Sequence, residues 1–394
     1  MDLNTWGGIL FVVFLALYLV HQRHRLQISG LFPALYFAMF RTTLGLKAMD
    51  WVGKKHSDFF KKTAPLVIGL GFVGMALITF ELIRGLYMLV TLPEAPAGVG
   101  IVQPFFKGAP GTVFVPFLYF IISIFVIATI HEFSHGVLAR AWNIKVKSSG
   151  FAFLGIGLPV IPAAFVEPEE KTLRARPAIQ QLSVFAAGPM ANVFLALIVL
   201  FLMVMTIPAM SEAMFTQEGV EVSSYINGNV TYPAENSNLE LGEIITHIDD
   251  ERVYNYSTFN ATLHEYLPGD TVNVTTDKTV HTITLAKRDD RKNGFLGVNV
   301  KPYLKNKPEF VATYGPLVPE FAKWSFGLMT WLFILNLGIG LFNLVPIGPI
   351  DGGRMLQTAL RCFFHEAKAD RIWKNTSTFV LAVLAFNVLL AIFK

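Results

Sequence analysis

The chain has 394 residues, of which 53% are hydrophobic and only 15% charged, with a formal net charge of +4 at pH 7. That balance excludes an ordinary water-soluble domain and makes the lipid bilayer the expected solvent; nucleic acid is not an expected partner. The single cysteine, Cys362, excludes an intrachain disulfide and any metal site built on several cysteines, and is expected at a small buried or boundary position.

About six apolar runs approach the roughly 20 residues that a helix needs to cross the hydrocarbon. The first is Trp6 to Val20. Only Asp2 is charged before it and no small-residue cleavage site follows, so it reads as a permanent span rather than a removed signal. Leu31 to Val52 mixes Phe, Leu, Tyr and Met with Arg41 and Lys47, which predicts an amphipathic helix along the cytoplasmic interface. Spans two and three follow at Ala64 to Thr91 and Val113 to Ala139.

The third span contains His131-Glu132-Phe133-Ser134-His135. Histidines four apart share one helix face, so both imidazoles reach a single zinc ion, and the intervening Glu132 lies close enough to act as base toward an attacking water. Two imidazoles and a carboxylate inside an apolar segment are costly to desolvate, which favours function over a polar interhelical network. Phe151 to Val166 is uncharged but interrupted by Gly155, Gly157, Pro159 and Pro162, and reads as a re-entrant or sheet-like element packed against protein. The fourth span runs from Ala178 to Ile207.

From Ser211 to Glu320 the composition changes to polar, with short alternating runs such as Thr271-Val-Asn-Val-Thr275 and Val280-His-Thr-Ile-Thr-Leu285 that predict strands. Asn-x-Ser/Thr triplets at Asn229, Asn255, Asn260 and Asn273 give weak support for an external face. The fifth span, Phe321 to Val345, ends in Asn343-Leu-Val-Pro-Ile-Gly-Pro-Ile-Asp351-Gly-Gly-Arg354, and the sixth is Thr376 to Phe393. A catalytic zinc takes three protein ligands, and Asp351, on irregular backbone, is the strongest candidate for the third; the competing reading is a helix N-cap.

Lys and Arg concentrate after the first and third spans and before the sixth, which places those segments in the cytoplasm and both termini and the polar region outside. His131 and Asp351 then both lie toward the cytoplasmic end of inward-running spans, so segments far apart in sequence agree in depth. His21, His24, His56, His247, His264 and His281 are read as interfacial or external bystanders.

The HExxH run, Gly188-Pro-Met-Ala-Asn192 and the Asn343 to Asp351 segment, in this order, resemble the site-2 protease family of intramembrane metalloproteases. The resemblance implies a prokaryotic protein, the archaeal type included, with an α-helical polytopic fold of about six spans and an inserted extracytoplasmic α+β PDZ-like domain. Its parts would be residues 1–210 with four spans, 211–303 as that domain, and 304–394 with two spans. It further implies Zn2+ held by His131, His135 and Asp351, Glu132 as catalytic base, and Asn192 beside substrate or oxyanion. Expected partners are single-span membrane-protein substrates, the bilayer and a peptide ligand of the PDZ-like domain, with the protein in the plasma membrane. The Gly-rich loop of such a domain is represented only by Gly219-Val220-Glu221-Val222. Rival readings are a transporter or channel using the buried His/Glu/Asp cluster, which lacks the internal repeats many transporters show, and an inactive membrane scaffold.

Overall fold

The structure is a computed structural model that describes residues 3–21, 24, 26–32, 35–92, 98–156, 158–226, 232–288 and 292–393. It divides into two compact units, one of residues 1–203 with 326–394, the other Val204–Ser325.

In chain order the first unit contains α1 (Leu3–His21), β1 (Leu26–Phe32), β2 (Leu35–Thr42), α2 (Leu46–Lys55), α3 (Ser57–Thr91), β3 (Ile101–Gln103), β4 (Thr112–Phe114), α4 (Phe117–Ala141), β5 (Val146–Ile156), β6 (Leu158–Pro168), α5 (Glu170–Arg174) and most of α6 (Ala178–Met214). The second unit contains β7 (Phe215–Tyr225), α7 (Pro233–Asn236), β8 (Ile244–Ile248), β9 (Glu251–Arg252), α8 (Tyr256–Leu263), β10 (Thr271–Thr276), β11 (Val280–Thr284), β12 (Val298–Asn306) and α9 (Pro308–Tyr314). The chain then returns through α10 (Leu317–Phe342), α11 (Asp351–Phe363) and α12 (Glu366–Phe393).

Among the described residues five helices, α3, α4, α6, α10 and α12, are long and apolar enough to cross a membrane, and α1 adds a shorter apolar stretch, Trp6–Tyr18. Their outward faces carry large apolar side chains such as Leu66, Phe80, Leu197 and Phe201, a pattern that lipid satisfies and water does not.

The first unit folds a four-stranded sheet in the order β1-β2-β5-β6, all neighbours antiparallel. This corrects the expected interfacial helix over Leu31 to Val52: the segment is strand through Thr42, and helix begins only at Leu46. Gly45, at φ 81°, makes the break in a conformation that favours glycine. β2 pairs with the adjacent β1 and gains its second partner, β5, from more than a hundred residues away (Leu35 opposite Ile156, Thr42 opposite Ser149); the strand was hidden because Leu35-Tyr-Phe-Ala-Met-Phe40 is a continuous apolar run, which periodicity alone assigns neither to helix nor to strand. Residues 33–34 and Gly157 lie outside the described residues.

A buried cluster of Ala139, Ile144, Val184, Phe185, Met190, Leu344 and Met355 ties α4, α6 and the α10–α11 junction together. In lipid such helices are held by close packing rather than by removal from water, and this interlocked cluster joins the three segments into one mount.

The second unit is a mixed unit in which β11-β10-β8-β7-β12 form a sheet with β9 beside β8. Val272 and Val274 alternate inward along β10 and pack with Val220, Ile245, Ile248 and Ile283, the two-residue period expected of a half-buried strand.

Candidate active site and metal centre

α4 places His131 and His135 one turn apart, both less than a tenth exposed, with their Nε2 atoms 3.1 Å apart. Each ring is anchored from behind by α6. His135 Nδ1 lies 2.6 Å from the Val184 carbonyl, which can only accept, so that nitrogen carries the proton and Nε2 presents its lone pair. His131 Nδ1 lies 3.2 Å from the Asn192 amide.

Asp351 completes the arrangement from another segment. Its Oδ2 is 3.1 Å from His131 Nε2 and 3.3 Å from His135 Nε2. Three donors on a tetrahedron around zinc, at 2.0–2.1 Å from the ion, stand about 3.3 Å apart, so this triangle has the edges that three zinc ligands require. Gly188 of α6 faces the same point: a Cβ there would press on His135 Nε2 and stand 2.7 Å from His131 Nε2. The absent side chain leaves the space beside both lone pairs open, and the donor set fits zinc.

Glu132 adds a carboxylate whose ligand-type atom lies within 4.8 Å of those of the two histidines. Its Oε2 accepts the Val166 N–H at 2.8 Å, tying the side chain to β6. A cavity of about 420 Å³ opens onto the group, lined by His131, Glu132, His135, Asn343, Asp351 and Arg354 among others. A second, smaller cavity of about 120 Å³ touches Glu132 from the side of the sheet.

Residues 119–387 match the model of peptidase family M50, the site-2 protease family. The chain belongs to peptidase family M50. It is 27% identical over 361 residues to uncharacterized protein MJ0971 of Methanocaldococcus jannaschii, covering 89% of this chain and 85% of that protein. It is also 24% identical over 238 residues to zinc metalloprotease RasP of Shouchella clausii, covering 49% of this chain and 54% of that protein. M50 membership and the five apolar helices together make this a polytopic membrane protein of a metalloprotease family.

Within this M50 chain the structure brings His131, Glu132, His135 and Asp351 to one point. The N-cap role weighed for Asp351 is not taken: Ile350 occupies the cap position of α11 without a side-chain cap, and the Asp351 carboxylate turns to the histidines instead. Asn192 is fully buried, and its contact is with the back of the His131 ring. The amide that lines the M50 cavity is Asn343.

Three participants escaped sequence reasoning. Gly188 was quoted only as part of the Gly188 to Asn192 motif, yet its value is the space it leaves beside the imidazoles. Val166 acts through its backbone, which no residue identity signals. Asn343 was quoted only as part of the Asp351 segment. Cys362 is exposed rather than buried.

In the second unit the expected Gly219 to Val222 loop is part of β7, interior to the sheet. A groove of about 550 Å³ instead runs between α8 and the edge strand β12, fronted by Gly294-Phe295-Leu296-Gly297. Gly297, at φ 90°, turns the chain into β12. Asn255 caps α8 through Thr258, Asn260 lines the groove, Asn273 is exposed, and Asn229 lies outside the described residues.

Proposed function

We propose that this protein is an intramembrane zinc endopeptidase that cuts single-span membrane proteins within or next to their transmembrane segments. The observation that carries the reading is the triangle of His131 Nε2, His135 Nε2 and Asp351 Oδ2 beside the Glu132 carboxylate, at the wall of a cavity large enough for a peptide. In this reading His131, His135 and Asp351 hold Zn2+, and Glu132 is the catalytic base. Zinc bound there supplies Lewis acidity that makes water a nucleophile near neutral pH and polarises a peptide carbonyl. Glu132 takes the proton of the attacking water and delivers it to the leaving amine. Asn343, on the cavity wall, gives one Nδ2–H to the Ile339 carbonyl and in this reading donates the other to the oxygen of the attacked carbonyl, and Asn192 orients His131.

A helical substrate hides its scissile amide in its own hydrogen bonds and has to unwind first. The free edge of β6 supplies an alternative partner. Val166 directs its N–H away from β5, toward Glu132, so strand alternation points Ala164 the same way. The outward positions two residues beyond each are Pro162 and Pro168, which have no N–H. The docking stretch is therefore short and lies against the catalytic base.

The clustering of Lys and Arg supports an active site toward the cytoplasm and external termini in a plasma membrane of six spans. The groove between α8 and β12 supports a PDZ-like module over residues 211–303 that captures a peptide as an added strand.

The deciding experiment is cleavage of a membrane-anchored reporter by purified protein in detergent, with zinc measured in the same samples. Glu132→Gln is expected to keep the parent's zinc content and lose about 10²- to 10⁴-fold in rate, the contribution of a general base. Undiminished cleavage by Glu132→Gln, or ion transport with no cleavage, overturns the reading.

A further inference from the structure

The large and small cavities meet at Glu132, Phe165 and Val166, which line both. The large one carries the polar donors. The small one is walled by Leu44, Met49, Phe133, Phe151 and Phe165, and Glu132 is its one charged group. Met49, at its floor, is buried, and Phe151 is held by stacking on Phe125 at 6.1 Å. The two faces of one carboxylate therefore look onto a polar space and an apolar one.

We propose that the small cavity is the subsite for the side chain of one residue flanking the scissile bond, and that it selects a branched aliphatic side chain. The inference rests on the proteolytic reading above and on β6 as the docking edge. An extended chain that pairs with the Ala164 N–H and with the outward carbonyls of Ala164 and Val166, the Val166 N–H being held by Glu132, brings its peptide group to Glu132 while its side chains leave the strand alternately to either face. One of them faces the small cavity, which those same β6 residues line.

Size and chemistry set the preference. A dry apolar cavity of roughly 150 Å³ accepts a benzene ring. At about 120 Å³ this one suits Val, Leu or Ile and is short of room for an indole. Its single charged neighbour, Glu132, repels an acidic side chain.

The test uses the full chain and single-span reporters whose scissile bond is located by mass spectrometry. The residue on each side of that bond is replaced in turn by Val, Leu, Phe, Trp and Asp. At one of the two positions, Leu and Val are expected to exceed Trp and Asp by about 10- to 200-fold in kcat/KM, the range that an apolar pocket achieves. Met49→Ala, which enlarges the cavity, is expected to restore Phe at that position, and Thr129→Leu, which narrows it, to shift the preference toward Val. Zinc content equal to the parent's shows that each variant keeps an intact centre. Rates that agree within about twofold at both positions overturn the subsite, and are what a lipid chain seated there would give. Discrimination that neither variant moves overturns it as well. Cleavage without discrimination removes the subsite alone, whereas no cleavage of any reporter, with Glu132→Gln equal to the parent, removes the proteolytic reading and the subsite together.

Discussion

Among the described residues two places bring a buried imidazole against a carboxylate at hydrogen-bond distance, and they behave as opposites. In the first unit His131 and His135 face Asp351. In the second, His281 Nε2 lies 2.9 Å from Glu243 Oε2, deep in the sheet core. The second cluster is closed: Thr276 Oγ1 donates to the same carboxylate oxygen at 2.7 Å, the Glu240 N–H donates to the other, and His281 Nδ1 meets the Ser237 carbonyl. Every donor there has an acceptor. The first cluster is open, with three lone pairs aimed at one point, a glycine in place of a wall, and a cavity beside it. Proximity of His and carboxylate makes an ion pair; convergence with space left over makes a site.

Filling that space is the largest single perturbation available. Gly188→Ala puts a methyl group 2.7 Å from His131 Nε2, so bound zinc, measured by atomic absorption, is expected to fall to background, with cleavage lost alongside it. The substitution is otherwise a helix-favouring one, relieving α6 of a residue that costs roughly 0.5–1 kcal/mol. Glu243→Gln in the closed cluster is expected to leave zinc and cleavage at the parent's level. Zinc retained by Gly188→Ala would put the ion elsewhere and erase the contrast.

A smaller effect is expected behind the open cluster. An imidazole that binds metal through Nε2 carries its proton on Nδ1 and needs an acceptor there. Among the described residues Asn192 Oδ1 has no partner although it is buried, while Nδ2 faces the ring. Turning the amide over lets Nδ1–H donate to Oδ1 and satisfies both groups. Asn192→Leu is therefore expected to weaken zinc binding about 10- to 100-fold in chelator competition, and Asn192→Asp, which keeps an acceptor, to recover most of it. Equal affinities for the two variants would reduce Asn192 to packing.

Val166→Pro tests the other anchor. The N–H it removes takes no part in the β5–β6 ladder and serves only Glu132, so the sheet is expected to persist while kcat/KM drops roughly tenfold, the low end for a hydrogen bond to a charged group. An unchanged rate would mean that Glu132 holds its position without β6.

How much of this was legible follows from where each signal resides. The HEFSH run states its chemistry in five letters because helical periodicity converts spacing into a shared face. That Asp351 would meet the two histidines was legible through the expectation that two inward-running spans end at similar depth, although its own neighbourhood argued equally for a helix cap. The sheet was legible only in part: Phe151 to Val166 announced irregular backbone through its Gly and Pro, whereas Leu35 to Thr42 begins with a continuous apolar run whose periodicity does not separate strand from helix. Whether the Gly219 to Val222 stretch of β7 lies inside the sheet or at its edge was not legible, because that depends on which strands pair on either side, a property of topology rather than of local sequence.

The smallest expected effect belongs to the closed cluster and sets the two apart by pH. Burial pushes the Glu243 carboxyl up, but the hydrogen bonds from Thr276 and His281 outweigh it and hold the group below its ordinary value. A carboxyl whose folded value is depressed stabilises the fold fully above its unfolded value, near 4.3 for glutamate, and loses that contribution as pH falls through the folded value. The second unit of the full-length protein is therefore expected to become more susceptible to pepsin as pH drops below about 4.3, and Glu243→Gln to show a shallower dependence over that window. Identical profiles for the parent and Glu243→Gln would mean that the carboxylate is not held by its neighbours, and that the closed cluster contributes packing alone.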